Sequence, residues 1–457
     1  MEAFAIPVED KFILYRPRLQ LACVGNQAMA DLVLNLASLE SPCEASAPEE
    51  VMAFLRTLGF LEPDPPPLPL PDHTFRPTSA VLLLTNRCNL RCTYCYAAGG
   101  EGPVQDLSLE LARAAIDTVA HSSAELKQPH FELTFHGGGE PVQVWETVQA
   151  ATAYARTKDL PCRTSMVTNG VWTTRQREWI LHNIDSLSIS FDGRQETQDR
   201  QRPSASGRGS FKAVMRTIRA LDKAGFSYGI RMTATAPWQE LPEDVRFICE
   251  ETGCQGMQAE PAFNIRRGEH QGPTQEESAA FVGAFMEAFE IAQRAGRRLT
   301  YSGARPWLVA STFCTAPYGA LVVNATGNLV VCYEIAGDNH PLAAMSTVGH
   351  IVDSQVALDH QAREALLTYL EEKRAACREC FCYWHCAGDC YTRSFYAQAG
   401  SRRGWVHRGW VHPGANPRCD MNRQITAQTL LWYIMAGDGV WRGQGMTSQE
   451  AQLMRTF

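Results

Sequence analysis

The sequence predicts an α/β fold in which a partial (β/α)6 TIM-like barrel lies between a small N-terminal winged-helix-like α+β domain and a C-terminal cysteine-rich domain. Two observations predict the barrel and its limits. Six short apolar segments alternate with amphipathic segments from about residue 79 to residue 296, a pattern that gives a parallel sheet with right-handed crossovers. A proline-dense stretch, "LEPDPPPLPLPD", separates this region from the residues before it.

The N-terminal domain and its linker are expected at residues 1–72. Two short strands, "KFILYRP" and "LQLACV", precede the helical segments "NQAMADLVLNLAS" and "APEEVMAFLRTLGFLE". Two interpretations of this domain remain open. It is either an element that recognises a partner or a cap that only packs on the barrel.

The barrel is expected at residues 73–300. Its strands are predicted, in order, at "SAVLLLT", "HFELTFHGG", "RTSMVTNG", "SLSISFDG", "YGIRMTATA" and "GMQAEPA", and each is followed by a helix. The first four strands end in segments of chemical interest, which are a cysteine loop, "HGGGEP", "TNG" and "SFDG". Because the active sites of such barrels lie at the C-terminal ends of the strands, these four segments are the predicted site.

The first strand leads into "TNRCNLRCTYCYAAGG", which places Cys88, Cys92 and Cys95 within eight residues. Cysteines so close together can form a disulfide, hold zinc or hold an iron–sulfur cluster. A disulfide would leave one thiol unused, and a structural zinc needs a fourth ligand that this loop lacks. Three thiolates on a tight loop suit a 4Fe-4S cluster in which one iron stays open.

A second cysteine pattern lies in the domain expected at residues 301–420. Its spacing is Cys-x12-Gly-x4-Cys, then Cys-x2-Cys-x5-Cys-x3-Cys, then one later cysteine. The cysteines of this pattern are Cys314, Cys332, Cys377, Cys380, Cys386, Cys390 and Cys419. Residues 421–457 are predicted to be a helical tail, because "MNRQITAQTLLWYIMAG" has an apolar face.

These motifs carry a resemblance to a known family. The loop pattern Cys-x3-Cys-x2-Cys and the "GGGEP" segment resemble the signatures of the radical S-adenosylmethionine (SAM) enzymes. The seven-cysteine pattern resembles the SPASM extension of that family, and the layout of the chain resembles that of maturases of ribosomally made peptides. The resemblance implies SAM and three 4Fe-4S clusters as cofactors.

The resemblance also implies which cysteines hold which cluster. Cys88, Cys92 and Cys95 would hold the cluster that binds SAM. The outer auxiliary cluster would be held by Cys377, Cys380, Cys386 and Cys419, and the inner one by Cys314, Cys332 and Cys390.

Further residues are implied as contacts of SAM. Gly138 and Gly139 would let the cofactor approach the backbone, and Glu140 would accept hydrogen bonds from its methionine ammonium. Tyr94 would place its backbone near the adenine. The other implied contacts are Thr168, Asn169, Ser190 and Asp192, for the ribose or the carboxylate, and Arg202, for the methionine carboxylate. No catalytic residue on the chain is assigned.

The chain departs from the fullest form of the family pattern at the inner cluster. Many members have one more cysteine shortly before the position of Cys314, and "ARPWLVASTF" contains none. Three alternatives remain for the fourth site of that cluster. They are an open iron that binds a substrate heteroatom, a water molecule, and a spare thiol such as Cys382 or Cys254.

The resemblance implies an enzyme that generates a 5'-deoxyadenosyl radical and oxidatively cross-links side chains of a ribosomally made precursor peptide. The partners would be a precursor peptide, whose leader adds as an extra strand to the N-terminal domain, and a reductant such as flavodoxin or ferredoxin.

Two alternatives to peptide maturation are kept. The first is sulfatase-type maturation, which converts a Cys or Ser of a protein to formylglycine. Members of that group have an aspartate directly after the position of Cys332, where this chain has Tyr333 and then Glu334. The second, from another class, is a non-catalytic iron–sulfur electron-transfer protein.

Composition argues against several other classes. Lys and Arg number 42 against 49 Asp and Glu, and the absence of a basic block disfavours a nucleic-acid partner. The start, "MEAFAIPVEDKF", is acidic where a signal peptide would be basic, and no apolar run is long enough to span a bilayer. The 16 cysteines are therefore expected in the cytoplasm, reduced, where they favour metal ligation over disulfides.

Overall fold

The structure is a computed structural model, which describes residues 1–38, 48–263, 266–399 and 417–443. Within these ranges the strands form two sheets, one of four strands and one of 11. No helix among the described residues is both long and apolar enough to cross a lipid bilayer.

The N-terminal unit is an antiparallel sheet covered by two helices. Its elements are β1 (Phe4–Val8), β2 (Lys11–Arg16), β3 (Leu21–Gly25), α1 (Gln27–Ser38) and α2 (Glu49–Thr57). Both predicted strands and both predicted helices are present, and β1 is an additional strand. Pro7 lies inside β1, and a proline in a short apolar run argues against a strand in the sequence. Leu14, Cys23 and Leu55 belong to the small core of this unit.

Six βα units follow, as the sequence predicts. The strands are β4 (Ser79–Leu83), β5 (Phe131–His136), β6 (Cys162–Thr168), β7 (Ser186–Ser190), β8 (Tyr228–Ala234) and β9 (Gly256–Pro261), all parallel, and β10 (Arg298–Thr300) extends the sheet beyond β9. The helices are α3 (Leu109–Glu125), α4 (Trp145–Ala155), α5 (Thr174–Asn183), α6 (Gln195–Gln201), α7 (Phe211–Ala224), α8 (Leu241–Glu251) and α9 (Gln275–Arg294). Helix α6 was not predicted, because "QETQDRQ" has no apolar face.

The cysteine-rich domain continues the barrel sheet. Its strands are β11 (Ala320–Val323), β12 (Asn328–Val330), β13 (Thr347–Val352) and β14 (Gln355–Leu358), and its helices are α10 (Ala316–Gly319), α11 (Ala343–Ser346), α12 (His360–Ala375), α13 (Tyr383–Cys386) and α14 (Tyr391–Ala399). Strand β11 pairs in parallel with β4, and β12 to β14 follow as an antiparallel extension. Since β4 also carries the cysteine loop, the two cysteine-bearing regions belong to one continuous sheet.

The last elements return to the N-terminal unit. Helix α15 (Pro417–Ala436) starts before the boundary expected at residue 421, and a short strand, β15 (Val440–Arg442), follows it. Strand β15 pairs antiparallel with β3, so the four-stranded sheet has the order β1-β2-β3-β15. The rest of the predicted tail, residues 444–457, lies outside the described residues.

Candidate active site

The cysteine loop begins after β4, at the C-terminal edge of the parallel sheet. Its backbone is held by the segment that follows β9. Arg267 donates from its guanidinium to the carbonyl oxygens of Cys92 and Gly99, each at 2.7 Å. The carbonyl oxygen of Cys95 accepts the Gly268 N–H at 2.9 Å. The protein itself therefore fixes the loop that carries the three thiols.

Each thiol of this loop meets a nitrogen donor. The Sγ atoms of Cys88 and Cys95 each accept a backbone N–H at 3.4 Å, and the Arg202 guanidinium lies 4.0 Å from the Sγ of Cys92. Burial raises the pKa of Cys88 to about 12 and that of Cys92 to about 11. Such thiols give up their protons when a metal replaces them. Buried thiols with donors to sulfur fit an iron–sulfur cluster.

The glycine segment after β5 packs directly on the cysteine loop. The N–H groups of Gly139 and Glu140 donate to backbone carbonyls of that loop, both at 2.8 Å. A Cβ on Gly139 would lie 2.0 Å from the Arg87 carbonyl oxygen, and one on Gly138 would lie 2.5 Å from the Cβ of Ala336. Contacts within the protein therefore already require both glycines, whereas the sequence argument for them rested on the approach of a cofactor.

Glu140 is buried where the glycine segment meets the end of β6. Its carboxylate accepts the Thr168 hydroxyl at 2.6 Å and the Asn169 N–H at 2.7 Å. The side-chain amide of Asn169 lies 3.9 Å from the Sγ of Cys88. Burial raises the pKa of Glu140 to about 7, although these two hydrogen bonds act in the opposite direction. Three residues predicted from two separate motifs thus form one group beside the cysteine loop.

A second cluster forms around Asp192. Its carboxylate accepts two bonds from the Arg202 guanidinium, at 2.8 and 3.0 Å, and one from the Tyr94 hydroxyl at 2.6 Å. The guanidinium also lies over the Tyr94 ring, 5.2 Å from its centre. Burial acts to lower the pKa of Arg202, but Asp192 outweighs it and the pKa rises. Ser190 ends β7 two residues before Asp192 and is half-buried.

Cys314, Cys332 and Cys390 line one cavity in the cysteine-rich domain, which we call the inner site. The three residues come from separate segments, before α10, after β12 and before α14. Cys314 is exposed as a residue, and burial around its thiol, followed by the charge of the neighbouring Cys390, raises its pKa to about 11. The pKa of Cys332 is also raised well above its usual range, by burial and then by the charges of Glu334 and Cys390. Three thiols around one cavity fit the implied inner cluster.

The other four cysteines of the pattern form the outer site. Burial and Asp389 raise the pKa of Cys386, and the charges of Cys419, Cys380 and Cys377 add to the shift, which places the four thiols near one another. Their side chains fit the implied outer cluster in number and chemistry.

A turn and an ion pair join the inner and outer sites. Ala387, Gly388 and Asp389, which link Cys386 to Cys390, all have positive φ, at 46°, 88° and 63°. Asp389 forms a buried ion pair with Arg418 at 2.6 Å. Since Arg418 directly precedes Cys419, this pair brings the start of α15 to the outer site.

The two spare thiols considered for the inner site lie elsewhere. Cys254 donates toward the carbonyl oxygens of Tyr228 and Gly256, at the N-terminal ends of β8 and β9. That is the end of the barrel opposite the cysteine loop. Cys382 lies 3.6 Å from the Thr426 hydroxyl of α15 and forms a hydrogen bond with Cys380 of the outer site. Neither thiol is among the residues that line the cavity of the inner site.

A charged network lies between the barrel and the inner site. The guanidinium of Arg393 binds the carboxylate of Glu334, at 3.2 Å, and that of Glu260 at the end of β9. Burial acts to raise the pKa of Glu334, but Arg393 outweighs it and the pKa falls. Burial and then Arg393 lower the pKa of Arg231, whereas Glu260 and Glu334 act to raise it. Arg231 therefore faces the same space from β8.

Tyr96 connects the two three-thiol sites. Burial raises the pKa of Tyr96, and the charges of Glu334, Cys95 and Cys332 add to the shift. These partners place the phenol near both the cysteine loop and the inner site. Sequence reasoning missed Tyr96 and the whole network, although Glu334 stood beside a predicted ligand. The other members of the network lie on separate strands and helices, and no local motif marks them.

Comparisons with known proteins agree with this geometry. Residues 82–248 match the radical SAM superfamily. The sporulation killing factor maturation protein SkfB of Bacillus subtilis (strain 168) is 27% identical over 319 residues, which cover 66% of this chain and 70% of that protein. The serine-type anaerobic sulfatase-maturating enzyme of Bacteroides thetaiotaomicron is 29% identical over 184 residues, 38% of this chain and 43% of that enzyme.

One solved structure shows the same fold over most of the chain. The structure described as native anSMEcpe with bound AdoMet superposes with a TM-score of 0.61 at 16% identity and covers 79% of this chain and 99% of that one. The matches confirm the expected α/β fold, with a radical SAM domain inside it, and the expected class of enzyme. They go against the alternative of a non-catalytic electron-transfer protein.

Proposed function

Because the chain carries a radical SAM domain at residues 82–248, we propose that it is a peptide maturase that oxidatively cross-links side chains of a ribosomally made precursor. The observation that carries the proposal is that two three-thiol sites belong to one continuous sheet, with Tyr96 close to a thiol of each. When bound, the cluster and SAM supply a 5'-deoxyadenosyl radical, which removes one hydrogen atom from the substrate. Loss of a second hydrogen requires an acceptor for its electron, and the inner thiols are placed to hold one.

The predicted SAM contacts keep free hydrogen-bonding capacity in this arrangement. The Glu140 carboxylate has about four lone-pair sites and receives hydrogen bonds from Thr168, Asn169 and the Val142 N–H, which leaves about one site for the methionine ammonium. Arg202 has five N–H donors and uses some of them on Asp192, which leaves others for the methionine carboxylate. The hydrogen bonds around Glu140 and around Asp192 thus hold these side chains in place before SAM binds, which lowers the entropic cost of ordering them on binding.

The substrate would lie in the space bounded by Tyr96, Arg231 and the Glu334–Arg393 pair. Buried charges in a site of low dielectric orient polar groups strongly, so Arg231 and Arg393 are placed to hold backbone carbonyls or carboxylates of a peptide. The inner site lies on the far side of that peptide from the cysteine loop. A small electron-carrier protein, such as flavodoxin or ferredoxin, is the proposed reductant.

The relatives support a peptide or protein substrate. SkfB is described as a maturation protein of the sporulation killing factor, and its match extends beyond the radical SAM domain to 66% of this chain. By analogy we place a precursor peptide with a leader sequence as the partner. The four-stranded sheet of the N-terminal unit is the proposed leader-recognition element.

Sulfatase-type maturation is the second candidate, and one observation favours it. Glu334 lies two residues after Cys332 and beside the inner thiols, so a carboxylate is available near the position where that group has its aspartate. The lowered pKa of Glu334 keeps it ionised, held by Arg393. Formylglycine and a cross-link differ in product, so one measurement separates the two candidates.

That measurement is mass spectrometry of a candidate precursor, any short peptide that is found to be encoded beside this gene, after co-expression with the full-length enzyme. A cross-linker removes two hydrogens and leaves no new carbonyl, whereas formylglycine formation leaves an aldehyde that reacts with a hydrazide. Two variants serve as controls. Cys92→Ala should leave the peptide unmodified. Cys249→Ala removes a half-buried thiol of α8, and the peptide should still be modified by this variant. An unmodified peptide, with SAM still cleaved by the enzyme, would overturn the proposal.

A further inference from the structure

The cavity of the inner site has three thiols in its wall, whereas a 4Fe-4S cluster is commonly held by four cysteines. Cys314, Cys332 and Cys390 are the thiols among its lining residues, and the spare thiols considered from the sequence are not among them. The fourth iron of a cluster held here is therefore either open or bound by an atom other than sulfur. The remaining side chains of the wall show which donors are available.

The two carboxylates in the wall of the cavity are engaged elsewhere. The Asp389 carboxylate accepts two hydrogen bonds from the Arg418 guanidinium, at 2.6 and 3.0 Å. The Glu371 carboxylate lies 2.7 Å from a ring nitrogen of His73. Each would have to give up a charged or polar partner before it could turn toward the thiols, so neither is an available ligand.

The tyrosines of the wall also have other contacts. The Tyr391 hydroxyl lies 2.9 Å from that of Ser346, and the charged neighbours of Tyr318 belong to α12. Tyr333 is the strongest rival, because the charges of Cys314 and Cys332 act on its phenol. Its ring, however, lies 5.7 Å from that of His136 at the end of β5, so it packs toward the barrel.

Two hydroxyls in the wall have no such engagement. Ser311 and Thr312 line the cavity shortly before Cys314. Within the part of the chain that the structure describes, neither hydroxyl forms a hydrogen bond. A hydroxyl oxygen has two lone pairs, so an oxygen without a partner in the wall of a thiol-lined cavity can bind a metal there.

The backbone on both sides of Ser311 is held by the cysteine-rich domain. The Ala310 N–H donates to the carbonyl oxygen of Trp384 in α13 at 2.6 Å. The Phe313 carbonyl accepts a hydrogen bond from the Arg305 guanidinium at 3.2 Å. The protein itself therefore fixes the short segment that carries the two hydroxyls, which lowers the cost of ordering it around a cluster.

The spacing along the chain selects Ser311 over Thr312. The interval Ser311-x2-Cys314 equals that of Cys-x2-Cys, which places two ligands on one cluster in bacterial ferredoxins. The cysteine loop and the outer site of this chain both contain the same interval. A single residue separates Thr312 from Cys314, and no pair of the implied cysteine ligands has that interval.

We propose that the Ser311 oxygen is the fourth ligand of the inner cluster, which is thereby closed to substrate. On loading, the Ser311 Oγ bonds to the fourth iron and its proton leaves to solvent, as the three thiol protons do, and no electron is transferred. The inference rests on the proposed function in one respect, because it takes the inner site to hold an electron acceptor. It deepens that function, since a closed acceptor takes the electron without binding the peptide.

The first test asks whether an added ligand reaches an iron of the inner site. The reduced holoenzyme is treated with 13C-labelled cyanide in excess SAM, which occupies the cluster of the cysteine loop, and 13C coupling is measured by pulsed EPR. Ser311→Ala opens one iron, so it should show a coupling that the wild type lacks. Thr312→Val is the matched control and should behave as the wild type does.

Two results of this test would overturn the proposal. The same spectrum for the wild type and Ser311→Ala would mean that the serine oxygen is not a ligand. A new coupling in Tyr333→Phe, without one in Ser311→Ala, would assign the fourth position to the phenol.

The second test stays decisive if Ser311→Ala loses the inner cluster. Ser311→Cys places a thiolate where the hydroxyl was, so the iron content should stay that of the wild type. The midpoint potential of one cluster should rise, because an oxygen donor is harder than sulfur and favours the more oxidised iron. The potentials are measured by redox titration followed by EPR. Thr312→Cys should leave all potentials unchanged, and unchanged potentials in Ser311→Cys would overturn the proposal.

The two proposals fail in distinguishable ways, because neither test of Ser311 needs a peptide. A wild type that cross-links its peptide and shows the same cyanide coupling as Ser311→Ala supports the proposed function and overturns only the serine ligand. A closed inner cluster in an enzyme that cleaves SAM and never modifies the peptide supports the serine ligand and overturns peptide maturation.

Discussion

The cysteine loop and the inner site hold the same number of thiols but are built differently. Cys88, Cys92 and Cys95 lie within eight residues on one loop after β4, whereas the thiols of the inner site come from three distant segments. The loop needs one strand end and a few backbone hydrogen bonds for its geometry. The inner site exists only after the C-terminal domain has added β11 to the edge of β4.

The difference teaches which step each site can serve. A local loop at the C-terminal end of a barrel strand is placed for the first step, the generation of the radical, whatever the substrate. The site assembled from distant segments has Glu334, which Arg393 binds, beside its thiols. On the proposed function, it would serve the later step, the removal of the second electron. The two sites should therefore respond differently to the loss of one thiol.

The largest expected effect follows from Cys92→Ala. This change leaves two thiols on the loop, and Arg202, 4.0 Å from the Sγ of Cys92, loses its sulfur contact. We expect SAM cleavage to fall to the level without enzyme, measured as 5'-deoxyadenosine by liquid chromatography and mass spectrometry. Cys249→Ala should cleave SAM as the wild type does. Persistent cleavage by Cys92→Ala would contradict the assignment of this loop.

The second expected effect is a separation of two activities by Cys390→Ala. The inner site loses one of its three thiols, while the cysteine loop keeps all of its contacts. We expect 5'-deoxyadenosine formation to stay within the same order of magnitude and the modified peptide to disappear. The measurement is the ratio of the two products in one reaction. If both products fell together, the inner site would be needed for SAM cleavage as well. That result would contradict the assignment of separate steps to the cysteine loop and the inner site.

The sequence predicts the features built from one local segment and misses those assembled from distant segments. The cysteine loop, Glu140 and the six βα units were recognisable because their signals are local, a short spacing or an apolar period. The Glu260–Arg393–Glu334 network was not, because its members lie on β9, on α14 and in a loop, and only packing brings them together. Strand β15 was missed for the same reason, since three residues carry no strand period and their partner, β3, lies at the other end of the chain.

Arg418→Met should test how the outer site depends on long-range packing. The Arg418–Asp389 pair is buried, with side-chain exposures of 3% and 4%. Removing the arginine leaves the buried carboxylate with Lys373 as its remaining neighbouring cation, so the loss of unfolding free energy should be at most about 3–5 kcal/mol. We expect lower stability in chemical denaturation and fewer iron atoms per chain. Arg294→Met removes a surface pair with Glu290 and should cost at most about 1 kcal/mol.

A loss of stability in Arg418→Met with unchanged iron would mean that the ion pair stabilises the fold but does not position Cys419. An unchanged stability would contradict the burial of the pair. Either result tells whether the packing of α15 and the binding of iron at the outer site depend on each other. The same test is not possible at the loop after β4, because its three thiols lie on a single short segment.

The smallest expected effect is that of Cys254→Ala, which tests whether Cys254 takes part in the inner site. Cys254 is 1% exposed and bonds to carbonyls at the N-terminal ends of β8 and β9. Its removal deletes a group about the size of a methyl in the core and should cost about 1 kcal/mol. Iron content and the ratio of 5'-deoxyadenosine to modified peptide should stay those of the wild type. Loss of iron would instead make Cys254 a ligand and would contradict its position at the opposite end of the barrel.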